Sequence, residues 1–436
     1  MNNFISEKSK NIKGEFSFYL FILSLFLLPS AFSISTIFLL VCLVTNTVKY
    51  RKKFLLDKWI TFFFSASILM IISCLINTLY NDHLNKYNLN SSLTWIGLAN
   101  WLPLFWCYLG FKPFLNTPSK RKVSSLALFC GTFPVLISGI GQYFFSWYGP
   151  FEFLNGLIIW YQRPIENFSG LTGLFNNANY MGSWLNIIWP TALACIINSD
   201  KNLIRNFANY IFTAGLSIST VFTFSRAAWL GILVGTLLMY GQKIYKFIIT
   251  FLLFLSLIIS AIIYPIFGLG IQSFLRSTIS QSLWMKFSNF QYSRIGIWET
   301  GIQTIFRNPF FGSGAASFPA IFKDETGLWK GHSHNLPLEL IISYGIPVGI
   351  LVITPIIIIV YLSVKKSFLT TDKISIFDKS WITSLIVLLI SQMVDIQYFD
   401  GRFSIVLWLL ISGSSNIINE NNNQNLAEFK NKKVKT

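Results

Sequence analysis

The sequence predicts an all-α polytopic membrane protein with about twelve transmembrane helices and two long loops on its outer face, the second containing an amphipathic helix. Three observations predict it. Of 436 residues 53% are hydrophobic and only 12% charged, with a mean hydropathy of +0.56, a composition that a soluble domain has too little polar surface to cover. Apolar stretches near the roughly 20 residues that cross a bilayer core recur along nearly the whole chain. The 34 Lys and Arg residues gather in the short segments between those stretches, so the net charge of +17 reads as membrane orientation and not as a nucleic-acid surface.

Spans are expected near 16–30, 32–48, 59–79, 93–111, 123–146, 180–198, 207–224, 227–242, 247–267, 336–363, 380–395 and 402–418. The first two form a hairpin turning at Pro29 and Ser30, because Lys8, Lys10 and Lys13 precede it while Lys49, Arg51, Lys52 and Lys53 follow, and basic flanks stay on one side. No A-x-A-like cleavage site interrupts the first apolar stretch, so no signal peptide is expected. The domain reading is a cytoplasmic tail at 1–15, one membrane unit at 16–418, and a polar, Asn-rich cytoplasmic tail at 419–436. The five cysteines lie in or beside apolar spans, where a thiol is a small hydrophobe.

With the amino terminus inside, ten basic residues fall outside: Lys86, Arg163, Arg226, Arg276, Lys286, Arg294, Arg307, Lys323, Lys330 and Arg402. Most sit in two external loops, about 147–179 and 268–335, and loops of that length in a compact protein usually carry function. In the second, Ile295, Trp298, Ile302, Ile305 and Phe306 follow helical spacing, which predicts an amphipathic helix able to lie on the bilayer surface. Asn308-Pro309 ends it, and Gly312-Ser313-Gly314 follows as a turn whose N–H groups could approach an anion.

Four blocks carry candidate chemistry. Arg226, in Ser225-Arg226-Ala227-Ala228-Trp229, stands between two apolar stretches, where a charge is costly unless it meets an anion or a partner such as Asp395 or Asp400. A guanidinium there suits phosphate bidentately. Two of the chain's three histidines occur in His332-Ser333-His334-Asn335, just before an apolar stretch. An imidazole titrates near neutrality and suits a general base; two histidines without a visible third ligand make a poor metal site, so no metal and no cofactor are expected. Asn335 also suits a helix cap. Arg163 precedes the Gly- and Asn-rich run Gly170-Leu171-Thr172-Gly173-Leu174-Phe175-Asn176-Asn177-Ala178-Asn179, which enters a helix, and Asp395 to Arg402 adds two carboxylates and an arginine on the same face.

Taken in order, R…G-L-F-N-N-A-N, S-R-A-A-W-L-G, S-R-I-G-I-W…N-P-F-F-G-S-G and H-S-H-N resemble the O-antigen ligase/polymerase family over about Arg163 to Arg402. Arg226 with Leu230 fits its R-x3-L element, and His334-Asn335 followed by Gly345 fits H-N-x9-G, although Gly345-Ile-Pro-Val-Gly349 departs from the commoner G-x-P-G. The resemblance implies a bacterial inner-membrane glycosyltransferase with a periplasmic active face. It would move a glycan from an undecaprenyl-diphosphate carrier to a hydroxyl, on lipid A-core or another glycan, without a metal. It assigns Arg226 and Arg294 to the donor diphosphate and His334 to acceptor activation, with Arg163, His332, Asn335 and Arg402 as further substrate contacts. Relatives include repeat-unit polymerases and enzymes that glycosylate proteins. A transport-associated protein of the bicarbonate-uptake type is the competing class, against which stands the lack of a visible inverted repeat.

Overall fold

A computed structural model of the chain describes residues 2–80, 90–165, 170–199, 202–264, 266, 268–278, 294–369 and 374–433. Apolar runs fold as helices because a bilayer offers backbone N–H and C=O groups no partner outside the chain. They are α1 (Asn2–Leu27), α2 (Phe32–Leu55), α3 (Ile60–Leu79), the short α4 (Ser91–Ile96), α5 (Leu102–Phe111), α6 (Pro118–Gly131), α7 (Phe133–Phe144), α8 (Ala178–Ile197), α9 (Leu203–Phe222), α10 (Arg226–Tyr240), α11 (Gln242–Ile263), α12 (Leu269–Thr278), α13 (Arg294–Arg307), α14 (Phe318–Thr326), α15 (Leu336–Tyr344), α16 (Ile346–Val364), α17 (Ile376–Gln392) and α18 (Gly401–Lys433). A two-stranded antiparallel hairpin, β1 (Phe151–Phe153) with β2 (Ile158–Trp160), pairs Phe151 with Trp160 and Phe153 with Ile158.

The protein is multi-pass, but the expectation of about twelve spans is corrected. Among the described residues six helices are long and apolar enough to cross a membrane: Phe32–Leu55, Ile60–Leu79, Pro118–Phe144, Ala178–Ile197, Ile346–Leu369 and Gly401–Glu420. Hydropathy sums apolar residues without seeing where a helix breaks. The 93–111 stretch is interrupted by a 3-10 turn at Gly97–Asn100, leaving helices of 6 and 10 residues. The 336–363 stretch divides at Gly345, whose φ of +90° stops α15 before α16 begins. Helix α10 has 15 residues, about 22 Å of rise against a core of about 30 Å.

The amphipathic surface helix is corrected too. Segment 294–307 is helical, yet it buries Ile297, Thr300, Gly301 and Thr304 while Ile295, Ile302 and Phe306 of the expected stripe point outward. It is a packing helix set against α15: a Cβ at Gly301 would meet Leu338 at 2.8 Å, so residue size and not hydropathy chose the buried face. Lys86 and Lys286 lie outside the described residues.

Helix α8 is the centre of the bundle, buried along most of its length and packed by α9, α10 and α17. Small residues allow these approaches: Gly182 faces Ala228 and Gly231 faces Asn186. Aromatic side chains fill the rest, with Trp184, Trp381 and Trp408 fully buried. Leu40, Val44, Phe64 and Ile68 stand exposed along α2 and α3, as a lipid-facing wall requires.

At the end of the bundle where α1 closes on α6, charges are answered inside the chain. Arg121, wholly buried, donates from Nε and Nη2 to Asp378 at 2.6 and 2.9 Å and from Nη1 and Nη2 to Glu420 at 2.6 and 3.0 Å. Lys112 pairs with Asp57 beside it. These bonds tie α6 to α17 and α18.

Candidate functional site

The opposite end is built by the segments entering α8, α10, α13 and α15 and leaving α17. Asn335 caps α15, its side-chain oxygen accepting from Leu338 N–H at 3.0 Å, while its Nδ2 donates to the Met393 carbonyl at 3.2 Å. That second bond clamps the histidine turn to the segment after α17. His334 adopts φ +54°, a left-handed conformation uncommon for a non-glycine residue and one that accompanies functional sites when the surroundings enforce it.

The result is a cluster. His334 Nδ1 lies 2.8 Å from Asp395 Oδ1, and His332 Nε2 lies 3.9 Å from the same oxygen. The His334 backbone N–H donates to His332 Nδ1 at 3.1 Å, so His332 keeps its proton on Nε2, facing Asp395. The two rings meet edge to face, 4.3 Å between centroids. Asp395 Oδ2 accepts from Asn179 Nδ2 at 3.1 Å, and Asn179 is held in the first turn of α8 by the Asn177 cap.

Electrostatics follow from this packing. Burial would raise the Asp395 pKa, but the His334 hydrogen bond and the charges of His334, His332 and Arg294 outweigh it and hold the carboxyl below its ordinary value. Burial, then the neighbouring His334, pushes His332 down to about 4 against the pull of Asp395. Partial desolvation depresses Arg294 despite Asp395, and the like charge of Arg226 adds to that depression; a guanidinium stays protonated regardless. The two arginines and Asp395 therefore share one field.

The expected site residues separate into two groups. His332, His334 and Arg294 come together around Asp395, and Arg226 lies near enough to Arg294 to act on it as a like charge. Arg226 and Arg294 are exposed, and among the described residues neither forms an ion pair, so Arg226 is not answered by Asp395 or Asp400. Arg163 is exposed and is not brought into the cluster; its backbone is fastened to Gln142 and Thr172. Arg402 is committed internally, to Asp400 at 2.6 Å and over the Phe175 ring at 4.2 Å. Asn335 spends both ends of its amide on the cap and on Met393.

The two glycine-rich turns serve the fold. Ser313 and Gly314 donate their N–H groups to Ile342 and Ser343 carbonyls, and Thr172 and Gly173 donate theirs to Gln142 Oε1, so none of these four is left for an anion. The sequence places Asp395 among external carboxylates without joining it to the histidines, gives Asn179 only as part of a helix-entry run, and leaves Glu339 unmarked. The signal for all three is the same: polar side chains at the boundaries of apolar runs in a chain with few charges.

Chemically, an ionised Asp395 accepts Nδ1–H from His334 and leaves Nε2 with its lone pair, an oriented base that Asp395 stabilises once protonated. Two guanidiniums beside it offer fixed positive charge to an anion. His332, His334 and Asp395 also present ligand atoms within 4.8 Å of one another, a set able to hold a cation, although the adjacent arginines oppose one.

Comparison with known proteins covers part of this region. Residues 211–353, which include Arg226, Arg294, His332 and His334, match the family model described as O-antigen ligase. A ComP-specific O-oligosaccharyltransferase of Acinetobacter baylyi is 27% identical over 183 residues, covering 40% of this chain and 33% of that protein. The chain thus spans about a third of the relative it matches. The similarity reaches the broad superfamily of O-antigen ligases, polymerases and O-oligosaccharyltransferases and no narrower group.

Proposed function

We propose that this chain, a multi-pass membrane protein similar to the O-antigen ligases and O-oligosaccharyltransferases, transfers a glycan from an undecaprenyl-diphosphate carrier to an acceptor hydroxyl on the periplasmic face of a bacterial inner membrane. The observation that carries the reading is the His334–Asp395 contact at 2.8 Å with Arg294 and Arg226 in the same field. His334 Nε2 takes the acceptor's hydroxyl proton as the oxygen attacks the anomeric carbon. The anomeric C–O bond to the diphosphate breaks, its electron pair leaves with the lipid diphosphate, and the new glycosidic bond forms with inversion. Arg226 and Arg294 stabilise the charge that grows on the leaving group, where preorganised donors act most strongly. No step needs a metal; Asp395 is bound to the base and the leaving group is met by guanidiniums.

The acceptor we favour is lipid A-core, with repeat-unit polymerisation as the close alternative. A protein hydroxyl is a second reading, favoured by the Acinetobacter relative. Deleting the gene and examining both surface polysaccharide and glycoproteins separates the three: uncapped lipopolysaccharide indicates ligation to lipid A-core, single-repeat caps indicate polymerisation, and loss of protein-linked glycan with normal lipopolysaccharide indicates a protein acceptor. Unchanged glycans of every kind would overturn the reading.

A further inference from the structure

Beneath the histidine turn lies a cavity of about 220 Å³ whose lining poses an unanswered chemical question. Glu339 faces it from the first turn of α15 and is 5% exposed. Its Oε2 accepts from the Ser333 N–H at 2.8 Å, and among the described residues it has no cationic partner. Tyr344, also lining the cavity, has a buried hydroxyl with no hydrogen-bond partner. The Tyr344 hydroxyl wants a hydrogen-bonding partner, since a buried group left without one costs free energy, and the Glu339 carboxyl keeps acceptor capacity beyond its Ser333 bond. Trp101 and the half-exposed Phe399 form aromatic wall. An apolar, aromatic pocket with a few convergent polar groups is the usual make-up of a small-molecule site.

We propose that this cavity holds a pyranose ring of the acceptor, with its hydroxyls donating to Glu339 and meeting Tyr344 Oη while its C–H face packs on the aromatic wall. The proposal rests on the glycan-transfer reading and names the acceptor side of that same site. A sugar fits because it supplies several O–H donors and an apolar face at once. The acceptor fits better than the donor for a reason of charge: among the described residues the cavity lining has no cation to meet a diphosphate, and Arg294 lies in the field of Asp395, whereas Glu339 bonds the residue between the two histidines. An acceptor ring seated here lies directly against the turn that carries the base.

The test uses the full chain purified into lipid nanodiscs. Ile96 lines the cavity and is 62% exposed, so Ile96→Trp obstructs the mouth without disturbing the core, and Glu339→Gln keeps shape while weakening the acceptor of hydroxyl protons. Saturation-transfer NMR with methyl glycosides of glucose, galactose and N-acetylglucosamine reports ring binding directly. At least one should show transfer from the wild type, lost in Ile96→Trp and weakened in Glu339→Gln. In turnover assays both variants should raise the acceptor KM by about tenfold, Ile96→Trp by obstructing the mouth and Glu339→Gln by weakening a buried hydrogen bond, with the donor KM within about twofold. Transfer signals that persist in Ile96→Trp, no signal from any glycoside, or a shift confined to the donor KM would overturn the proposal. Glycoside binding that Ile96→Trp abolishes, in a protein that transfers no glycan, would keep the site and reject the reaction; normal turnover with acceptor KM unchanged in both variants would do the reverse.

Discussion

The two ends of this bundle treat charge in opposite ways. At one, Arg121 is wholly buried and every donor of its guanidinium that could strain the interior is answered by Asp378, Glu420 or the Leu115 carbonyl. At the other, Arg294 lies in the field of Asp395, a carboxylate already engaged by His334 and Asn179, and Arg226 adds a like charge beside Arg294. The first arrangement fastens α6, α17 and α18 together and has nothing left to offer a ligand. The second leaves two exposed guanidiniums without an ion pair among the described residues, charge that on the proposed reading meets the donor diphosphate.

The largest expected effect breaks the comparison at its structural end. Arg121→Ala leaves Asp378, itself buried, without a counter-charge, and removing one partner of a buried pair typically destabilises by about 3–5 kcal/mol. Thermal unfolding in nanodiscs should show a large drop, with little folded protein recovered. Arg226→Ala should unfold within about 1 kcal/mol of wild type, since no internal partner is lost. An Arg121→Ala protein as stable as wild type would dissolve the distinction between the ends.

Next in size is the contrast between the two histidines. His334→Gln should lower kcat by about a hundredfold or more and remove the acid limb of the kcat profile. His332→Gln should retain that limb, because burial and His334 hold His332 neutral until the pH falls to about 4. The same depression has a stability consequence with a definite sign: the unfolded imidazole binds a proton below 6.5 while the folded one waits until about 4, so folding stability falls as pH drops through that window and His332→Gln flattens the fall. Full activity of His334→Gln in the presence of chelator would remove the base; activity that a chelator abolishes and zinc restores would assign the His332–His334–Asp395 set to a metal instead.

Smaller again are the arginine variants, which sharpen what the open charges do. Arg226→Lys keeps the charge and loses the planar fork, so kcat should fall by roughly tenfold, with Arg226→Ala and Arg294→Ala lower still and less sensitive to salt than wild type. Melting temperatures should stay close to wild type in all three. Equal activity for Arg226→Ala at normal abundance would take the residue out of the reaction.

How much of this the sequence disclosed follows from the reach of each signal. The residues of the cluster lie in short motifs, and His334-Asn335 at a helix entry was readable because a cap is a local matter. Asp395 was not: its partner is 61 positions away in the chain, and nothing but tertiary packing joins them. Span number failed for a related reason, since Gly345 ends one helix and starts another inside a continuous apolar run. The buried face of α13 follows size at Gly301 against Leu338 and Ile342, a property that hydropathy does not measure.

The smallest effect concerns Asn179, which touches no reacting atom and acts through Asp395. Its Nδ2 donates to Asp395 Oδ2 at 3.1 Å, leaving Oδ1 for His334, so the amide fixes the carboxylate's rotation and with it the direction of His334 Nε2. Asn179→Ala removes one hydrogen bond to a charged group but lets water replace it at a half-buried position, and kcat should fall only about three- to tenfold with both KM values nearly unchanged. Asn179→Asp is the sharper variant, because it sets a second carboxylate within hydrogen-bond distance of Asp395. Two adjacent negative charges favour proton uptake by the cluster, so the acid limb of kcat should move to higher pH and the loss near neutrality should exceed that of Ala. A residue that merely packed against α17 would shift neither limb: identical pH profiles for wild type, Asn179→Ala and Asn179→Asp would reduce Asn179 to a structural contact and detach the entry of α8 from the chemistry.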